Sequence, residues 1–191
     1  LRLINQLEDY GFTKIYICGR YKINKIKEFV KKNNFKSEII IKNEKKALGT
    51  AGPLGEIQFK DENYLILNSD LVFNIDFNLL FKFHKKNKLD LTICVKNKTY
   101  EIPYGVIDLK NNNFLKIKEK PTHEFLFNAG IYLINSKILK KIKKNTKLSM
   151  VDLINTQIKK HAKIKIFFLH EEWYDIATIK DLADVNKISN V

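Results

Sequence analysis

Between Leu3 and Val95 the chain repeats one pattern, a short apolar run followed by a stretch with apolar positions at helical spacing. Leu3, Ile4 and Leu7 make the first helical face, which stops at Tyr10-Gly11. Lys14 to Cys18 then reads as a strand, Ile23, Ile26, Phe29 and Val30 as a helix face, and Glu38 to Ile41 as a second strand. The small-residue segment from Gly49 to Gly55 reads as opening a further helix. After it come the strand Tyr64 to Leu67, a helical face of Phe77, Leu80, Phe81 and His84, and the strand Leu91 to Val95. Strands separated by helices of roughly ten to fifteen residues require crossover connections. The expectation is an α/β, Rossmann-like layout, a mostly parallel mixed sheet with helices on both faces.

From Tyr104 to Ile134 the pattern changes. Val106 to Leu109, Phe114 to Ile117 and Phe127 to Ile134 are extended runs divided by Asn111-Asn112-Asn113 and Pro121-Thr122, which predicts antiparallel strands added to the sheet. Helices at Ser136 to Ile142 and Met150 to His161, a strand at Lys165 to Leu169 and a terminal helix from about Ile179 to Lys187 complete the reading. Residues 1–191 read as one domain without internal repeats.

Apolar residues make up 45% of the chain, enough to fill one core. The longest apolar runs, Ile39 to Ile41 and Leu65 to Leu67, fall far short of the roughly 20 residues that cross a bilayer. Residue 1 is Leu, and Leu1 to Leu7 lacks the layout of a secretory signal, so the chain reads as cytoplasmic and as cut at its front. Cys18 and Cys94 each sit in an apolar run and read as small buried hydrophobes. A formal charge of +14 suggests polyanions, but all but two of the 35 basic residues are Lys, dispersed along the chain. Base-edge readout favours the planar Arg fork, so nucleic acid ranks last among partners, whereas the positive field still favours nucleotides and sugar phosphates.

In open α/β sheets ligands bind beyond the carboxyl ends of the strands. Asp70 lies at such an end and is suited to hold Mg²⁺ against phosphates, or simply to cap a turn. The segment Leu48 to Gly52 would let backbone approach a base or a phosphate closely. Tyr104-Gly105 and Glu119-Lys120-Pro121 are individually unremarkable.

The ordered set is more informative. Leu48-Gly49-Thr50-Ala51-Gly52, Asn68-Ser69-Asp70, Pro103-Tyr104-Gly105-Val106, Glu119-Lys120-Pro121, Asn128-Ala129-Gly130-Ile131-Tyr132 and Trp173-Tyr174-Asp175-Ile176 resemble the successive blocks of the sugar-1-phosphate nucleotidyltransferases, from about Leu1 to Asn186. The wording around Tyr100 to Val106 and Phe127 to Tyr132 is most similar to bacterial guanylyltransferases that make GDP-sugars for surface glycans. The resemblance implies that Asp70 and Asp175 hold catalytic Mg²⁺, that Leu48, Gly49 and Thr50 lie against the base, and that Lys120 grips the sugar phosphate. It also implies that Tyr104 and Gly105 shape the sugar pocket, that Glu119 accepts from sugar hydroxyls and that Asn128 faces the sugar. The implied partners are an NTP, GTP in particular, and a sugar 1-phosphate, with no membrane and with scope for a homo-oligomer.

Three departures accompany the resemblance. The family's glycine-rich loop, ending in Arg and followed by Pro-Lys, has no counterpart in residues 1–191; the chain begins where the helix after that loop is expected. Ser69 and Ala177 stand where the family usually has Gly beside its two metal-binding Asp residues. The expectations are therefore an enzyme that depends on the loop, or a sugar-phosphate-binding module without turnover.

Overall fold

The computed structural model describes residues 1–176 together with Thr178, Asp181 and Ala183. The terminal helix expected at Ile179 to Lys187 falls for the most part outside that set, and Ala177 lies outside it. Helix α1 (Arg2–Asp9) buries Ile4 and Leu7 and ends against Gly11, whose φ of +81° turns the chain into β1 (Lys14–Gly19). Helix α2 (Ile23–Lys32) crosses back, and β2 (Glu38–Asn43) pairs parallel to β1 with Lys14 opposite Glu38. Their salt bridge of 2.7 Å is exposed to solvent and adds little to stability.

The helix expected after Gly49 is instead a single 3-10 turn, Gly52–Glu56. Its glycines explain why it is short. A Cβ on Gly52 would collide with the Thr146 carbonyl oxygen, and one on Gly55 would come within 2.8 Å of the Lys143 carbonyl oxygen. The turn passes directly beneath another backbone segment and has no room to extend as a helix with side chains.

Beyond it run β3 (Asn63–Leu67), β4 (Leu71–Phe73) and α3 (Phe77–Lys86), the last capped by the Asp76 carboxylate, which accepts from the amides of Asn78 and Leu79. Strand β5 (Leu91–Glu101) leads into the hairpin of β6 (Val106–Lys110) and β7 (Asn113–Lys118), and the chain returns along β8 (Thr122–Asn135). Helices α4 (Ser136–Leu139) and α5 (Met150–Lys159), then β9 (Ile164–Phe168) and β10 (Trp173–Asp175), follow.

The largest sheet has the order β3-β8-β5-β9. Strands β5 and β9 are parallel, and β8 is antiparallel to both β3 and β5. Thus β3, β5 and β9 point the same way, as the alternation of strands and helices predicts, with the late antiparallel strand inserted between the first two. Alternate residues of β8 feed two cores. Tyr132 and Ile134 face the one covered by Ile138, Leu139, Met150, Leu153 and Ile154, while Ile131 and Leu133 face the one covered by Leu7, Phe77 and Leu80. The sheet is therefore buried on both faces, which explains why β8 is an unbroken apolar run from Ala129 to Ile134.

Among the described residues β1 pairs only with β2 and β3 only with β8, so each has one edge without a ladder partner. The far ends of β5 and β8 rise beyond the end of β3 as a two-stranded arm whose Tyr100, Phe125 and Leu126 are exposed.

Candidate active site

The carboxyl end of β3 is where the chemistry-bearing residues gather. Beyond Leu67, the amide of Asn68 donates to the carbonyl oxygen of Gly130 at 2.9 Å. Gly130 lies in a bulge, because the β5–β8 register jumps from Ile93 opposite Tyr132 to Val95 opposite Asn128, leaving two extra residues in β8. Its φ is +70°, and a Cβ there would lie 2.6 Å from Asn68 Nδ2, so glycine is required both by the backbone and by the neighbour. Asn128 braces the bulge. Its Oδ1 accepts from the Gly130 amide at 3.1 Å, and its Nδ2 donates to the Tyr132 hydroxyl at 2.7 Å. Burial pushes the Tyr132 hydroxyl up from its ordinary pKa, opposed by that bond from Asn128.

Strand β10 joins the same place from more than a hundred positions away in sequence. It pairs antiparallel with β4, Asp175 opposite Leu71. The ladder is extended at one end by the Ile176 amide, which donates to the Asp70 carbonyl oxygen at 2.8 Å, and at the other by the Asn74 amide, which donates to Glu172. Trp173 Nε1 donates to the carbonyl oxygen of Ala129 at 2.9 Å and ties β10 to the bulge. Ile176 thus stands opposite Asp70 and Asp175 opposite Leu71, so the backbones that carry the two aspartates lie on adjoining segments one register step apart. Both side chains are exposed.

No group of three or more His, Cys, Asp or Glu side chains that could hold a metal ion occurs among the described residues. A pair of aspartates can serve a cation that keeps most of its waters and takes further oxygens from substrate phosphates, as Mg²⁺ does.

The other expected residues form two further groups. Gly105 precedes Val106 and Glu119 follows Lys118 at the open end of the β6–β7 ladder, and a Cβ on Gly105 would lie 3.3 Å from Glu119 Oε2. Tyr104 and Lys120 flank them, both exposed, Lys120 with φ +42°. Along the arm, Thr122 is six residues from Asn128, about 20 Å of extended strand. Leu48, Gly49 and Thr50 are held instead by the segment before α5. Leu48 is buried, and its carbonyl oxygen accepts from the Leu148 amide at 2.8 Å, while the Thr50 hydroxyl accepts from the Met150 amide at 2.7 Å. Thr50 thus helps to cap α5, a role not evident from its sequence block. An open recess of about 710 Å³ lies between α1 and the Phe73-Asn74 end of β4, and neither Asp70 nor Asp175 lines it.

The family profile described as Nucleotidyl transferase matches residues 2–190. The chain belongs to the nucleotidyltransferase family. Among nucleotidyltransferases with established names, a mannose-1-phosphate guanyltransferase of Aspergillus oryzae is 32% identical over 195 residues, covering 95% of this chain and 52% of that protein. The bifunctional protein GlmU of Methanocaldococcus jannaschii is 30% identical over 194 residues, covering 97% of this chain and 45% of that protein. The chain therefore spans about half the length of the curated relatives it matches. HddC from Yersinia pseudotuberculosis, solved also as a complex with GMP-PN, superposes with a TM-score of 0.75 at 21% identity, covering 98% of this chain and 83% of that one. The inositol-1-phosphate CTP transferase of T. maritima superposes with a TM-score of 0.65 at 16% identity, covering 98% and 79%. These superpositions place the mixed α/β sheet within the nucleotidyltransferase fold.

Proposed function

We propose that residues 1–191 form one nucleotidyl-transfer unit in which a sugar 1-phosphate and a Mg²⁺-bound NTP, GTP by preference, meet beside Asp70 and Asp175. The product is an NDP-sugar for surface-glycan synthesis, made in the cytoplasm where both substrates occur, and pyrophosphate is released. The observation that supports the reading is the hydrogen bond from Ile176 to Asp70, which brings the segments carrying Asp70 and Asp175 together beside the Asn128–Gly130 bulge.

Asp70 and Asp175 hold the ion, and the ion when bound neutralises charge on the α-phosphate. A phosphate monoester has a second pKa near 6, so its attacking oxygen carries no proton at pH 7 and no side chain need act as base. The oxygen attacks the α-phosphorus in line, the new P–O bond forms, and the bond to the pyrophosphate oxygen breaks. The protein's work is positioning. Lys120 holds the sugar phosphate, Glu119 accepts from sugar hydroxyls, Tyr104 and Gly105 bound the pocket, and Asn128, already fixed by Gly130 and Tyr132, faces the sugar. Leu48, Gly49 and Thr50 lie against the base, Thr50 through its methyl group or its remaining O–H because its oxygen already accepts from Met150. The chain's net charge of +14 draws both anions inward.

The test is pyrophosphate release with GTP, mannose 1-phosphate and Mg²⁺. Asp70→Asn and Asp175→Asn are each expected to lower turnover by about 100-fold or more. Turnover unchanged in both would remove the metal assignment.

A further inference from the structure

Lys96 lies on β5 just past the bulge, and its ammonium donates to three successive carbonyl oxygens, those of Leu169 at 3.3 Å, His170 at 3.2 Å and Glu171 at 2.7 Å. An ammonium has three protons, and here each has an acceptor. Among the described residues Lys96 makes no ion pair, so its charge is met by main-chain dipoles. Three consecutive carbonyls converging on one point repel one another, and the cation at their focus is what makes that backbone path favourable. The path is the turn between β9 and β10, residues 169–172, which has no helical or strand structure of its own.

The position of β10 depends on where that turn releases the chain. Leu169 is tied at the start by its amide to the carbonyl oxygen of Val95 at 2.9 Å, beside Lys96. Asp175 is four residues beyond Glu171, on a three-residue strand whose ladder partner is β4. So short a pairing fixes its own register weakly. A second lysine of the same strand, Lys98, lies 5.3 Å from the centre of the Trp173 ring and adds a smaller cation–π contact to the same element. Strand β5 thus grips the β9–β10 connection at the turn and at the first residue of β10.

We propose that Lys96 is a positioning residue for the Asp70–Asp175 pair. By closing the 169–171 carbonyls around its ammonium it sets the path of β10 and with it the place of Asp175. This inference rests on reading the pair as a divalent-cation site, and it assigns to the turn a specificity for the tripodal ammonium. A guanidinium is planar and presents its donors in a fork, so Arg meets two of the three carbonyls at best.

The test uses the chain itself with Mn²⁺ as probe, free ion being measured by electron paramagnetic resonance, together with amide exchange of residues 173–176. The expected results are that Asp175→Asn abolishes Mn²⁺ binding, Lys96→Met weakens it about tenfold and speeds exchange of those amides, and Lys96→Arg falls between Lys96→Met and the unaltered protein. Should Lys96→Met fail to fold, Lys96→Arg carries the comparison. Mn²⁺ binding that is lost in Asp175→Asn but unaltered in folded Lys96 variants would overturn the positioning role and leave the metal site standing. Binding that is absent in the unaltered chain, or indifferent to Asp175→Asn, would overturn the metal site and this inference with it.

Discussion

The amide of Ile176 donates to the carbonyl oxygen of Asp70 at 2.8 Å, and this bond continues the β4–β10 ladder in which Asp175 stands opposite Leu71. Two segments more than a hundred positions apart, one carrying Asp70 and the other Asp175, thereby meet at the carboxyl end of β3. The surrounding hydrogen bonds, from Asn68 to Gly130 and from Trp173 to Ala129, attach that pair to the bulge in β8.

Gly130 is the least replaceable residue of this arrangement. Any side chain must adopt φ +70° and displace the Asn68 amide, which a Cβ would approach to 2.6 Å. Gly130→Ala is expected to cost about 1–3 kcal/mol, lowering the thermal midpoint by several degrees. A midpoint unchanged in calorimetry would show that the bulge tolerates ordinary backbone angles.

Gly49 is predicted to behave alike for a different reason. Its φ is +78°, and a Cβ would lie 2.6 Å from the Leu148 carbonyl oxygen, a backbone atom that cannot rotate away. Gly49→Ala should destabilise by a similar amount and should also speed amide exchange at Leu148, whose amide donates to Leu48.

His84 makes stability depend on pH. Its ring is buried, with Nδ1 2.8 Å from the Thr92 hydroxyl and Nε2 3.1 Å from Asn63 Oδ1, and burial pushes its pKa below 6.5. Between the folded and unfolded values the unfolded chain binds the extra proton, so stability is full above about pH 6.5 and is lost as pH falls toward the folded value. Urea titrations at pH 7.5 and pH 5 should differ in that sense, and His84→Gln should flatten the difference. A chain more stable at pH 5 would contradict the sign.

Neither thiol is expected to react in the folded state. Burial pushes Cys94 up to about 12 and Cys18 up to about 11, so both are protonated at pH 8. A chromogenic disulfide reagent should titrate both only after denaturation.

Much of this architecture was written in the spacing of apolar residues. Ile4 with Leu7, and Leu80 with His84, mark helix faces because one stripe meets a core. The three-residue strands β4 and β10 carry no such signal, since so few residues show no periodicity and their pairing is purely tertiary. Strand β8 was recognisable as extended, but its insertion between β3 and β5 reflects non-local pairing. At the site, that the segments carrying Asp70 and Asp175 pair was legible only through the resemblance of whole blocks to a family, because no local pattern links them. Lys96 was not recognisable at all. One lysine among so many gains its role from three carbonyls more than seventy positions away.

The account's central claim is that Asp70 and Asp175 share one divalent cation, and Mn²⁺ binding by the single and double Asn variants tests it most directly. The account predicts that either substitution removes most of the affinity and that the double variant loses little more, as expected when two groups act on one ion. Losses that simply add, or a single variant that binds as the unaltered chain does, would contradict it.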